Sequence, residues 1–252
     1  MRRNLLCILV SALWLGVLSG GAAQIRPWPS AEALLRGADR ARGGVDEGVR
    51  WTIALTVEDE GETQLRSYLV RARGADALVE ALAPPRNKGE IYLFNDRTLW
   101  FIKPGLHKPV SLSTRQRLTG DAANGDIANT NYARDYQGSI VSEEAVDGRP
   151  CYRLALQARN KSVTYDKIQY WIEQARGLGV KAEFRTVSDQ VLKVASFEYT
   201  NKIRTAAGEH EFVSRMVIGN PNKPRARTVI EFGQPQLEHL PDSLFNINNV
   251  AR

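Results

Sequence analysis

The sequence predicts a mainly β protein with a few helices, built on one strongly curved antiparallel sheet. Three observations carry that expectation. Apolar and polar residues alternate at period 2 through roughly a dozen short segments. Tight turn signals join consecutive segments, which implies antiparallel neighbours. The stretch 112–137 lacks sustained alternation and reads as a long loop with two short helical pieces. Long connections inside a compact domain are often functional lids. The pattern fits an all-β sandwich or barrel, with the sheet expected to wrap around the helical elements.

The elements follow in order. Pro29-Ser30 signals a helix start, with Ser30 as cap; Leu34, Leu35 and Ala38 recur at helical spacing, and Gly43-Gly44 ends the segment. Trp51, Ile53, Leu55 and Val57 alternate with Thr52, Ala54 and Thr56, the mark of a strand with one buried face. A turn over residues 59–62 leads to strands at 63–73 and 76–83, and Pro84-Pro85 stops the second, because proline cannot donate to a ladder. Residues 90–94 and 98–102 form a hairpin around Asn95-Asp96-Arg97, and 108–111 is another short extended piece. After the 112–137 loop, strands return at 139–145, 151–157, 167–173, 180–186, 191–200, 211–218 and 227–232. The tail Leu240-Pro241-Asp242-Ser243-Leu244-Phe245 reads as an extended segment that tucks back.

The start of the chain has the three-part layout of a secretory signal peptide: basic Arg2-Arg3, an apolar run from Leu5 to Leu18, then small residues up to Ala23. The run is too short for a spanning helix, which needs ~20 apolar residues. Cleavage after Ala23 leaves Gln24 first and a single mature domain, 24–252, in the periplasm. Cys7 lies inside the apolar run, so the layout is not that of a lipoprotein signal. Cys151 is then the one remaining cysteine, which excludes an internal disulfide; its strand-like setting reads as a small buried hydrophobe. Loss of Arg2 and Arg3 takes two units from the formal charge of +6. The remaining excess is too diffuse for a nucleic-acid interface. Its densest part, Asn222-Lys223-Pro224-Arg225-Ala226-Arg227, reads as a solvated loop.

Catalytic and metal chemistry finds no support. His107, His210 and His239 are scattered, without metal-ligand spacing. No nucleophile elbow and no phosphate-cradling glycine loop occurs. Glu143 and Glu144 are adjacent, so on a strand they point to opposite faces. The expectation is therefore no catalytic residue, no metal and no cofactor. What remains is apolar and aromatic: strand-borne Trp51, Ile53, Leu55, Leu69, Tyr92, Phe94, Trp100, Tyr152, Leu154, Tyr170 and Ile172 are the candidates to line a ligand cavity on the concave face. Period 2 does not distinguish such a cavity from a filled core.

The layout resembles the exported outer-membrane lipoprotein-sorting protein family, related to the lipoprotein carriers LolA and LolB. The likeness begins at the helix 31–41 and the strand 49–57. It is sharpest from Asn87-Lys88-Gly89-Glu90-Ile91-Tyr92 through Trp100-Phe101-Ile102-Lys103-Pro104. Asp135-Tyr136, Cys151-Tyr152-Arg153-Leu154, Tyr170-Trp171-Ile172 and the closing 240–245 segment also fit, so the resemblance covers nearly the whole mature chain.

The resemblance implies an open, incomplete β-barrel with a helical lid, here the 112–136 region. It implies a hydrophobic cavity for lipid or lipoprotein acyl chains, and a monomer passing cargo from an inner-membrane exporter, of the RND type in some relatives, to an outer-membrane acceptor. In the lipoprotein carriers an arginine on an early strand helps hold the lid closed; Arg50, Arg66 and Arg71 are the candidates here. Two other readings stand beside the carrier: a non-transporting periplasmic adaptor with a filled core, and an envelope hydrolase with converging carboxylates.

Overall fold

A computed structural model describes residues 28–95, 98–105, 108–206 and 208–250. The signal-like segment 1–23, with Cys7, and also Gln24, Asp96-Arg97 and His107, lie outside the described residues. Helix α1 (Ala31–Arg40) starts where its cap predicts, with Ser30 Oγ accepting from Ala33 N at 3.1 Å, and it buries Leu35, Ala38 and Asp39.

Strands β1 (Val49–Asp59), β2 (Glu62–Arg73), β3 (Asp76–Ala83), β4 (Ile91–Asn95), β5 (Thr98–Ile102) and β6 (Val110–Leu112) form an antiparallel meander. The covering segment follows: β7 (Arg117–Thr119), β8 (Ala122–Ala123), a 3-10 turn (Asn124–Ile127) and α2 (Tyr132–Asp135). A second meander comprises β9 (Tyr136–Val146), β10 (Arg149–Ala158), β11 (Lys167–Glu173), β12 (Gly179–Arg185) and β13 (Val191–Glu198). Strands β14 (Asn201–Thr205) and β15 (Gly208–Phe212) pair only with each other. Strands β16 (Arg215–Asn220) and β17 (Lys223–Phe232) rejoin the main sheet, and β18 (Gln236–Leu237) adds to β1. A 3-10 turn (Asp242–Phe245) and α3 (Ile247–Val250) close the described chain.

The main sheet runs β6-β5-β4-β3-β2-β1-β17-β16-β13-β12-β11-β10-β9. The two meanders meet where β17 returns to β1, in the register Ile53↔Phe232 to Glu58↔Arg227. The ends, β6 and β9, do not pair, so the sheet is not closed into a barrel. It is nonetheless strongly bent. Phe94 of β4 and Tyr136 of β9 line one pocket, although ten strand positions separate β4 from β9 along the sheet. At ~4.8 Å per strand a flat sheet would hold them nearly 50 Å apart. The expected open, incomplete β-barrel with a helical cover is therefore the observed architecture. No helix among the described residues is long and apolar enough to cross a membrane.

Three expectations shift. The single strand expected over 211–218 is two: Val213 N donates to Ala41 O at 2.8 Å, and this turns the β14–β15 hairpin over the end of α1. The 112–137 loop carries its two helical pieces as expected, and a small β7–β8 hairpin as well. The basic run 222–227 is the start of β17 and not a loop. Pro224 is tolerated there because β17 extends past the end of its β1 pairing, where no ladder donor is needed on that side.

The turn after α1 requires glycine. Gly43 has φ +88°, and a Cβ there would sit 2.7 Å from the Trp51 ring. Positive φ and overlap with a buried indole add, so Gly43→Ala should destabilise the fold by roughly 2–4 kcal/mol. The check is the midpoint of chemical unfolding; an unchanged midpoint would show that the turn and Trp51 adjust freely.

Candidate functional site: the covered inner face of the sheet

Strand parity decides which candidate residues share a face. Trp51, Ile53, Leu55, Tyr92, Leu154, Tyr170 and Ile172 are buried in the main apolar cluster on the concave face, with Phe94 and Tyr152 packed against it. Leu69 and Trp100 point the other way. Leu69 stands opposite exposed Thr52, between inward-facing Tyr68 and Val70. Trp100 packs outside the sheet with Leu78, Leu93, Leu240 and Phe245, beneath the tail, which tucks back as expected but as a 3-10 turn over Asp242–Phe245 rather than an extended segment. Cys151 is likewise outside the concave face, buried with Trp171 and Val180, and burial pushes its thiol pKa up.

The segment between β6 and β9 lies across the concave face. Ile127 is fully buried in the main cluster, with Ala122 and Ala128 beside it. The segment is also held by buried polar bonds. Asp126, on the 3-10 turn, is the centre. Its carboxylate accepts from Ala123 N at 2.8 Å, from the Tyr165 hydroxyl at 2.7 Å and from Lys193 Nζ at 2.7 Å. Lys193 also donates to Asp121 O at 2.7 Å. Both side chains of the ion pair are buried, 5 % and 7 % exposed. Further along, Asn129 Nδ2 donates to Gly74 O at 2.7 Å, and Arg115 Nε to Val163 O at 2.8 Å.

Helix α1 holds the other end of the segment. Asp39 accepts from Tyr132 N at 3.0 Å and from Ala133 N at 2.9 Å, the first amides of α2. Burial raises the Asp39 carboxyl to about 6, even though both amide bonds and the nearby Arg42 favour its charged form. Arg42 is buried too, stacked over Phe197 at 4.4 Å and near Tyr132 at 5.6 Å, and its carbonyl accepts from Thr130 N at 3.2 Å.

The arginine facing the covering segment is therefore Arg42, just past α1, rather than a strand arginine. Arg50 and Arg71 pair with Glu238 at 3.2 and 3.6 Å, and Arg66 lines a shallow cleft with Pro84 and Arg86. Sequence reasoning passed over Asp39, Arg42, Asp126 and Lys193. Lys193 carried a usable signal, since it alternates with Ala195 and Phe197 on the buried parity of β13. Asp39 carried one as well, one helical turn after buried Leu35.

With this cover in place the inner face is packed. Trp51 meets Phe212 at 5.4 Å, Tyr92 meets Phe101 at 5.2 Å and Tyr132 meets Tyr170 at 5.4 Å. The space left beneath the segment is a pocket of about 90 Å³, bordered by Arg42, Phe94, Asp126, Tyr132 and Tyr165. That lies well below the ~300 Å³ at which pockets for small-molecule ligands begin. An open cleft of about 840 Å³ lies outside it, where α1, α2 and the β14–β15 hairpin meet, and Arg36, Arg40, Arg134, Arg159 and His210 line it. Among the described residues no group of three His, Cys, Asp or Glu could hold a metal.

Two outcomes follow from the buried charges. Lys193→Met leaves the Asp126 carboxylate buried without its cation and should cost roughly 3–5 kcal/mol of stability; a loss below 1 kcal/mol in chemical unfolding would remove Asp126 as an anchor. Asp39 has a raised folded pKa, so the folded state holds its proton longer than the unfolded chain does. Its contribution is fully present below the unfolded value of 3.8 and is lost as pH rises to about 6. The change amounts to roughly 3 kcal/mol at most. Asp39→Asn should flatten the stability–pH curve across that window, and a curve of unaltered slope would contradict the assignment.

The fold and the geometry of the covered face agree with what the chain is similar to. A family model described as "-like: Uncharacterized protein" matches residues 74–252. None of the curated proteins matches the chain. Among solved structures, a LolA superfamily protein from Nitrosomonas europaea is 30% identical with a TM-score of 0.78, covering 87% of this chain and 98% of that one. A DUF1329 family protein from Desulfovibrio piger shares the fold at 20% identity and a TM-score of 0.71, over 87% and 98% of the two chains. A Vibrio parahaemolyticus domain described as an outer membrane lipoprotein-sorting protein shares it at 18% identity and a TM-score of 0.73, over 88% and 100%. The identity and the near-complete overlap with the Nitrosomonas protein place the family: the chain belongs to the LolA superfamily.

Proposed function

We propose that the mature protein is a periplasmic carrier. It binds the lipid moiety of lipoproteins, or another envelope lipid, on the concave face and passes it toward the outer membrane. One observation carries this reading: an apolar inner wall, too broad for its own strands to cover, is closed by a separate segment held through buried polar bonds as well as apolar packing. Trp51, Ile53, Leu55, Tyr92, Phe94, Tyr152, Leu154, Tyr170 and Ile172 are the wall that acyl chains would meet. Each buried methylene is worth ~0.8 kcal/mol, so such binding needs shape and no catalytic group. The relatedness to a LolA superfamily protein and the fold shared with a lipoprotein-sorting domain support the same role. Export of the chain and its exchange with an exporter or an acceptor belong to this proposal.

The pocket of about 90 Å³ sets the mechanism. Cargo enters only when residues 113–135 move off the wall. The filled interior also favours a second reading, an adaptor that binds an envelope partner and carries no lipid. A reversible lock separates the two. A Cβ on Gly125 would lie 3.2 Å from Thr164 Cβ, close to disulfide spacing. The double variant Gly125→Cys, Thr164→Cys, oxidised, should lose uptake of a fluorescent fatty acid by at least about tenfold and regain it with reductant. Equal binding in both redox states would mean that the segment is no gate. No binding by the wild-type protein would favour the adaptor.

A further inference from the structure

The pocket under the covering segment is bordered by a buried cation that makes no ion-pair contact among the described residues, the nearby Asp39 carboxylate being bonded to the α2 amides. Arg42 is 7 % exposed, its Nη1 has no hydrogen-bond partner, and it borders the pocket. The Tyr170 hydroxyl lies behind it on the inner face, outside the pocket border, with no well-aligned hydrogen bond and with Arg42 and Tyr199 as its polar neighbours. Tyr132 packs on Tyr170 at 5.4 Å and lies under the Arg42 guanidinium, which brings the two groups into one aromatic nest. Gly179 is part of this arrangement, since a Cβ there would overlap the Tyr170 hydroxyl.

The carboxylates nearby are engaged elsewhere. Asp39 serves the α2 amides, Asp126 serves Lys193 and Tyr165, and Asp135 pairs with Arg134. A buried cation without a directly bonded anion is costly. Stacking on Phe197 and Tyr132 offsets only part of that, at roughly 0.5–2 kcal/mol per ring.

We propose that Arg42 and Tyr170 form the headgroup site of the carrier, taking one anionic oxyacid group, a carboxylate or phosphate, whose acyl chain then runs along the concave wall. The inference rests on the carrier reading and adds a ligand class to it: singly charged anionic amphiphiles rather than neutral lipids. Much of the border of the 90 Å³ pocket belongs to the covering segment, so on opening Arg42 stays with the body of the protein to meet the headgroup, and the chain takes the wall that the segment leaves. The guanidinium supplies a charge-assisted bond that a neutral ester would not match.

The test uses the mature protein and two probes, a dansyl-labelled undecanoic acid and its methyl ester, at low salt and pH 8. The acid should bind about tenfold or more tighter than the ester. Arg42→Gln should erase that preference, bringing the acid and ester affinities of the variant together, Arg42→Lys should keep part of it, and Tyr170→Phe should reduce it. Equal wild-type affinities for acid and ester overturn the headgroup site and leave the carrier standing, whether or not the variants fold. Failure of both probes to bind ends both proposals. Displacement of the acid by millimolar acetate as effectively as by undecanoate would reassign the pocket to free anions and overturn the lipid headgroup.

Discussion

A buried ion pair decides the state of this molecule. Asp126 and Lys193 meet on the concave side of a sheet that otherwise presents apolar side chains there, and Tyr165 and the Ala123 amide complete the carboxylate's bonds. In a low-dielectric setting such a cluster is favourable only when every member is in place, and costly when any one is missing. The covering segment is therefore not free to slide by small steps over the wall. On the carrier reading it is either seated with all bonds made or off the wall, with Asp126 and Lys193 parted.

The second attachment works by a different balance. Asp39 stands at the start of α2, where a carboxylate is favoured by two amides and the helix end, yet burial outweighs them and lifts the group to about 6. The short helix is thus held by an anion that its surroundings only just tolerate. Arg42 lies one turn away, with its carbonyl bonded to Thr130 of the same segment. The junction of α1 and α2 couples charge to the position of the cover, whereas Asn129 on Gly74 O ties it by a neutral bond.

Alternation made much of this legible from residues alone. The inward sides of β1 and β11 were readable because Trp51 to Val57 and Ile168 to Ile172 each share one parity with no break. Parity is only relative, however, until one residue is tied to the core. That is why Leu69 and Trp100, apolar and in strands, were grouped with residues on the opposite side of the sheet. The 112–137 stretch announced a cover by lacking any period. Its anchors were harder to see, since Asp126 and Lys193 lie 67 residues apart and no local pattern links them. Arg42 was obscured by position. It follows the helix, and nothing before the fold is known says that the β14–β15 hairpin will turn over it.

On the proposed reading, the filled interior is what makes exchange reversible. Opening breaks the bonds of Tyr165 and Lys193 to Asp126, the two to Asp39 and those of Asn129 and Arg115, while the Ala123 bond lies within the segment and persists. The bonds of Lys193 to Asp121 O, Asp121 N to Thr228, Thr114 to Ser162 O and Arg115 to Asp166 go as well, so at ~1 kcal/mol for a neutral bond and ~2 kcal/mol for a charged one the polar cost is at least about 10 kcal/mol. It also exposes Ile127 and its neighbours. A single acyl chain of ~14 carbons gains about 11 kcal/mol on the vacated wall, at ~0.8 kcal/mol per methylene. The two terms oppose each other, so cargo and cover compete for the same surface. A preformed empty cavity would instead hold its lipid by nearly the full transfer energy and release it only slowly. A carrier that must give up what it binds is better served by an inner wall that its own chain can reclaim.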